Sequence, residues 1–260
     1  MNLISGDVLD SIQRFWNAVA LAYPGVEARF PRQLETAIPA ALPLAIVSIR
    51  DLRGSSVNDW LAKLSVAMRD FGPDRPLRGC LVAFRGRGLV FVDSNDSPDE
   101  TQLTLAHEAA HFLLHYLGPR ARAVARLGPK ILEVLDGLRA PRNEERLAGV
   151  LRGCPIGQYR HMMGRGQEGA IVDSDVERAE TEADLVALEL LAPAEAVARI
   201  CRQRKGGIDE MTALEVLQTE YRIPTWGAKL QARVIIRRYG SRRSNWLEGL
   251  GNLAKNQAEP

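Results

Sequence analysis

The sequence predicts an α+β protein, mostly helical, with one small antiparallel sheet. Apolar residues recur at helical spacing along much of the chain, beginning with Val8, Ile12, Phe15, Trp16 and Val19. Strand character is confined to short runs rich in β-branched residues, at 44–49, 80–84 and 89–92. The last two flank Arg85-Gly-Arg-Gly88, a Gly-rich tetrapeptide of the kind that closes a hairpin. It is too short and wrongly placed for a phosphate-binding loop.

Each element can be justified in order. Residues 8–23 read as an amphipathic helix, 44–49 as a strand behind two prolines, and 59–71 as a helix carrying Trp60, Leu61, Leu64 and Met68. After the hairpin, 93–100 is a polar turn rich in helix-capping residues, with acids placed for the positive end of the next helix. It lacks the spacing of a calcium loop. Residues 102–116 form a strongly apolar helix. Weaker helices follow at 129–138 and 143–151, inside a stretch (118–166) with ten Lys/Arg against four Asp/Glu. Helices at 175–191, 193–201, 211–221 and 226–238 complete the chain, and the polar residues from 241 read as a flexible tail.

With 260 residues, 46% hydrophobic and 25% charged, the chain can bury a core in one large domain or two small ones, which excludes wholesale disorder. No apolar run approaches the roughly 20 residues that cross a bilayer. Three cysteines, Cys80, Cys154 and Cys201, stand at wide, unpatterned spacings, which suits neither a disulfide framework nor a Cys-based zinc site. A cytoplasmic protein without membrane association is expected.

The histidines are lopsided. There are four, and three of them, His107, His111 and His115, fall within nine residues. His107-Glu-Ala-Ala-His111 is an H-E-x-x-H sequence, and on a helix positions four apart share a face, so both imidazoles can reach one metal ion. Glu108, rotated by about 100°, can serve water at that ion as general acid/base without becoming a ligand. Burying two histidines and a glutamate in so apolar a helix without partners would cost several kcal/mol, and a metal supplies the partner.

A catalytic zinc keeps three protein ligands and an open position. Candidates for the third are His115, His161 and a downstream carboxylate. His115 continues the series along one straight helix, where three ligands do not converge. A third histidine six residues after His111 is excluded, because position 117 is Leu. Among the downstream acids, Glu177, Glu182 and Glu189 are expected on a solvated face. Glu180 and Asp184 stand four apart beside apolar positions, so one can face the metal and the other back a histidine N–H.

Thr104-Leu-Ala-His-Glu-Ala-Ala-His111 and Glu180-Thr-Glu-Ala-Asp-Leu-Val-Ala-Leu-Glu-Leu-Leu-Ala-Pro193 together resemble the two signatures of the ImmA/IrrE metallopeptidases. The resemblance covers about 40–115 and 175–236. It implies a zincin-type protease core with a gluzincin-like His, His, Glu site: His107, His111 and Glu180 on zinc (manganese being the alternative), Glu108 catalytic and Asp184 behind a ligand. It also implies a metallopeptidase domain at 1–200 with a helical insertion at about 118–174, and a C-terminal helix-turn-helix-like region at 201–240 before the tail at 241–260. The 68 residues between His111 and Glu180 exceed what a compact member needs, and Asp184 stands where Asn is commoner.

Tyr159, His161 and Tyr221 are the candidates for an oxyanion donor. In the C-terminal pair, residues 202–243 carry ten Lys/Arg against four Asp/Glu, but the second helix starts Thr225-Trp-Gly-Ala, poor in groups that read bases. Packing through Trp226, Leu230, Val234 and Ile235 is favoured over DNA binding, which is expected to be weak or absent. The expected activity is zinc-dependent endoproteolysis of a regulatory protein, by the resemblance a helix-turn-helix repressor. The alternative is a non-proteolytic zinc-containing module that docks a protein or DNA.

Overall fold

A computed structural model describes residues 6–26, 29–64, 74–147, 149–165 and 174–240. The expected tail at 241–260 and the end of the helix expected at 59–71 lie outside the described residues. The described chain up to Leu191 forms one unit and that from Ala192 a second.

In the first unit, α1 (Gly6–Ala22) buries the stripe its spacing predicts, including Ile12, Phe15, Trp16 and Val19. Next comes a helix the sequence did not announce, α2 (Leu34–Ala41), because Pro39 inside it reads as a breaker. Burial of Leu34, Ala37 and Ile38 outweighs the lost backbone bond, and the α2 entrance is held by Gln102 Oε1, which accepts from Leu34 N at 2.6 Å.

The sheet is mixed rather than antiparallel. Its order is β1-β3-β2-β4, with β1 (Leu44–Ile49) parallel to β3 (Arg87–Asp93), and β2 (Leu77–Phe84) antiparallel to both β3 and β4 (Tyr159–Gly164). The reason lies in the connection through α3 (Gly54–Lys63). Leu77 N donates to Leu52 O at 2.8 Å, so the chain enters β2 at the same end at which it left β1. β2 therefore runs against β1, and the hairpin turns β3 parallel to β1. Asp93 ties this end together, its carboxylate accepting from Asp51 N, Leu52 N, Asn95 N and the Arg165 guanidinium. At the other end Arg85 and Gly86, both at positive φ, make the two-residue hairpin turn.

Each face of the sheet is covered. Cys80, Val82 and Phe91 pack with Leu52, Val57 and Leu61 on the α3 side. On the opposite side, helix α4 (Pro98–His111) crosses the strands, its start capped by Ser97 Oγ, which accepts from Glu100 N. α8 (Ser174–Leu191) packs beside α4, and all nine residues from Leu103 to His111 are buried. An extra residue in β2 at Arg78, a β-bulge, lets Leu77 face the α3 core while Gly79 faces α4.

Beyond His111 the helix does not end near residue 116 as its sequence suggests. It passes through a π-helical turn (Phe112–Leu117) into α5 (Gly118–Leu127). The insertion is also not wholly helical. After a 3-10 turn, α6 (Leu132–Leu135) and α7 (Asn143–Leu147), it contributes β4, the edge strand beside β2. Part of its basic charge is spent internally: Arg120 pairs with Asp136, and Arg139 with Glu133 and Glu145.

The second unit contains α9 (Ala194–Lys205), α10 (Glu210–Thr219) and α11 (Thr225–Tyr239), with Tyr221 and Ile223 buried in the turn between the last two. The buried stripe of α11 is Gly227, Ala228, Gln231, Ala232, Val234 and Ile235. Trp226, expected to pack, is 38% exposed. Among the described residues no helix is long and apolar enough to cross a membrane, and Cys80, Cys154 and Cys201 are unpaired.

Candidate metal centre

The helical spacing of His107 and His111 delivers what it predicts. Their rings meet edge to face, with Nε2 atoms 3.1 Å apart and both side chains buried. From α8, Glu180 brings Oε2 to 3.3 Å from His107 Nε2 and Oε1 to 3.6 Å from His111 Nε2. Ligand atoms about 2.05 Å from a tetrahedral ion stand about 3.3 Å from one another, so each ring faces one carboxylate oxygen at close to the spacing of ligands on a common ion. Asp184, one helical turn further, accepts from His107 Nδ1–H at 2.8 Å, which turns Nε2 of that ring toward Glu180.

His161 joins them from β4. Its Nδ1–H donates to Glu108 Oε2 at 2.8 Å and its Nε2–H to Glu180 Oε1 at 2.9 Å. His107, His111, His161 and Glu180 thus form a candidate metal site, each offering an atom within 4.8 Å of the others. Ring geometry separates His161 from the other three. Its ring lies over that of His111, centroids 3.7 Å apart and planes 17° from parallel. An imidazole binds a metal in its own plane, and two nearly parallel stacked rings have planes that meet far beyond the roughly 2 Å length of a metal–nitrogen bond. His107 and His111, at 61°, have planes that do converge.

Glu108 is fully buried beneath this assembly. Its Oε2 is held by His161, while Oε1 has no hydrogen-bond partner among the described residues. The carboxylate fits because β2 has glycine below it. A Cβ at Gly79 would lie 2.9 Å from Glu108 Oε1 and 2.5 Å from Thr104 Cγ2. A buried carboxylate oxygen without a partner is costly, so this niche is arranged for a donor such as water.

The electrostatics ask for positive charge. Burial works against charging His107, but its bonds to Asp184 and Glu180 prevail and raise its pKa to about 9. Burial likewise opposes charge on His161, yet Glu108 and Glu180 carry it up to about 10. His111, where burial prevails over Glu180, is pushed down to about 4. For Glu180, burial pushes upward and the surrounding histidines outweigh it, holding the acid well below the usual range. Nitrogen and oxygen donors at ligand spacing, in a pocket that collects cationic charge, fit a divalent ion such as zinc.

The remaining candidates fall as follows. Tyr159 shares the α4-facing side of β4 with His161 and stacks on Tyr116; burial first, then Glu108 and Glu180, push its phenol pKa upward. Tyr221 is a buried residue of the second unit. His115, set aside as a ligand, places Nδ1 2.9 Å from His111 Nδ1. Glu189, expected on a solvated face, is buried. His161, a candidate both as third ligand and as oxyanion donor, reaches the cluster through the register of β4 on β2, which no sequence spacing encodes.

Residues 69–130 match the sequence profile of the IrrE N-terminal-like domain, peptidase M78. The matched span includes His107, Glu108 and His111 and ends before His161 and Glu180. No curated protein and no solved structure matches the chain significantly.

Proposed function

We propose that this chain, which carries an IrrE N-terminal-like domain of the peptidase M78 family, is a zinc-dependent endopeptidase. The observation that carries this reading is Glu108 Oε1, which has no hydrogen-bond partner among the described residues, in a buried carboxylate beside two histidines and an acid at ligand spacing. His107, His111 and Glu180 would hold the ion, with Asp184 fixing His107. When bound, zinc supplies Lewis-acid polarisation of a carbonyl and lowers the pKa of water to about 7. Glu108 takes the proton of the attacking water and hands it to the departing amine. His161, released from the carboxylates by an incoming peptide, supplies the N–H that the oxyanion needs. β4, at the sheet edge, offers an extended peptide a strand to pair with.

The substrate proposed is a regulatory protein, a helix-turn-helix repressor, on the support of the two-signature resemblance. The test is replacement of Glu108 by Gln. The variant is expected to bind zinc as wild type does and to leave uncut a helix-turn-helix repressor and an unfolded generic substrate that the wild-type chain cuts. Full activity in that variant rejects the mechanism.

One observation favours a second reading, a non-proteolytic zinc module that docks a protein or DNA. Glu108 is sealed from solvent, with His161 on one oxygen. Stoichiometric zinc, tight partner binding and no cleavage by the wild-type chain would select it.

A further inference from the structure

His115 stands in the π-helical turn that follows the H-E-x-x-H helix. Its Nδ1 lies 2.9 Å from Nδ1 of His111, with ring centroids 4.9 Å apart and planes 48° from parallel. Its other nitrogen, Nε2, faces Glu182 Oε2 at 3.9 Å, and the side chain is 22% exposed. A ring that gives Nε2 to a metal must carry its own proton on Nδ1, and that N–H requires an acceptor. For His107 the acceptor is the Asp184 carboxylate. For His111 the acceptor within hydrogen-bond distance is an imidazole nitrogen, that of His115. A neutral imidazole accepts at Nδ1 only when its proton sits on Nε2, and here that N–H points toward Glu182.

We propose that His115 is a positioning residue of the metal centre: it accepts the Nδ1–H of His111 and so holds that ring with Nε2 turned to His107 and Glu180. The two ligand histidines are then oriented by different means, one by a carboxylate from α8 and the other by a neutral ring on its own helix. A neutral acceptor suits a pocket that already holds the acids Glu108, Glu180 and Asp184. The inference rests on reading the site as a metal centre.

The test compares His115→Asn with His115→Phe in the full chain, by competition for zinc against a chromophoric chelator. Asn places an acceptor oxygen near the Nδ1 position but loses the ring, whereas Phe keeps the bulk and has no acceptor. A positioning role predicts that Phe weakens zinc binding by about 10- to 100-fold and that Asn stays within about threefold of wild type. A packing role predicts the reverse order. Wild-type affinity in the Phe variant, or equal losses in both, overturns the proposal. His107→Phe serves as the reference for the premise: if it binds zinc as wild type does, the metal centre itself is rejected, whatever His115 does.

Discussion

The carboxylate of Glu108 rests on the backbone of Gly79, so close that a Cβ there would come within 2.9 Å of Oε1. A bulge at Arg78 sets that glycine on the α4 side of β2. Gly79→Ala therefore requires Glu108 or Thr104 to move. Because a displacement of about 1 Å at a reacting group costs about 10²-fold, the variant is expected to lose about that much in kcat while keeping its zinc. Steady-state kinetics beside metal analysis check this; unchanged kcat would mean the contact relaxes without consequence.

Asp184 orients His107 through a single 2.8 Å hydrogen bond. Asp184→Ala is expected to weaken zinc binding by about 10- to 100-fold, and Asp184→Asn by less, since the amide oxygen still accepts. Equal affinity in the alanine variant contradicts an orienting role.

His161 stacks on His111 with planes 17° apart, so the two ring planes do not converge at metal-bond length. His161→Phe is expected to leave zinc affinity within about threefold of wild type while lowering kcat by about 10²- to 10³-fold, the range for loss of one oxyanion donor. Loss of zinc instead of turnover would make His161 a ligand and the centre a closed one.

Away from the site, Asp93 joins the ends of β1, β2 and β3. Burial raises its pKa, but backbone donors from Asn95 and Leu52 and the Arg165 guanidinium outweigh that and hold it below 3.8. A carboxylate depressed by folding stabilises at pH values above its unfolded pKa, and that contribution disappears as pH falls through the lower folded value. Asp93→Asn is expected to cost about 1.5–3 kcal/mol near pH 7, the range for hydrogen bonds to charged groups, and the difference from wild type is expected to shrink as pH falls through the lowered Asp93 pKa. Urea unfolding of both proteins across that range checks the sign.

What the sequence revealed divides by range. The juxtaposition of His107 and His111 follows from helix geometry alone, four residues apart, and needs no tertiary information. Position alone sets Glu180 and Asp184 only weakly apart from their neighbours, and the paired signatures set them apart more firmly. His161 is a candidate by residue type, but its place depends on the pairing of Tyr159–Gly164 with β2 across a long basic insertion, with Leu81 opposite His161. No local period encodes that register. α2 was hidden by Pro39, and the π-helical turn by a sequence that an ordinary helix would also accept. The parallel pairing of β1 and β3 depends on where the chain re-enters the sheet, which is set by the backbone bond from Leu77 to Leu52.

The edge strand β4 alters what counts as dispensable in this chain. A long insertion between two signatures invites trimming, yet this one supplies β4, whose His161 holds one oxygen of the buried Glu108 carboxylate. Even α6 is no free excursion, because Val134 and Leu135 are buried with Ala123 and Ile131, and Leu135 O accepts from Gly157 N ahead of β4. A deletion that reaches residue 159 takes His161 away from Glu108 and Glu180 and is expected to open both carboxylates to solvent.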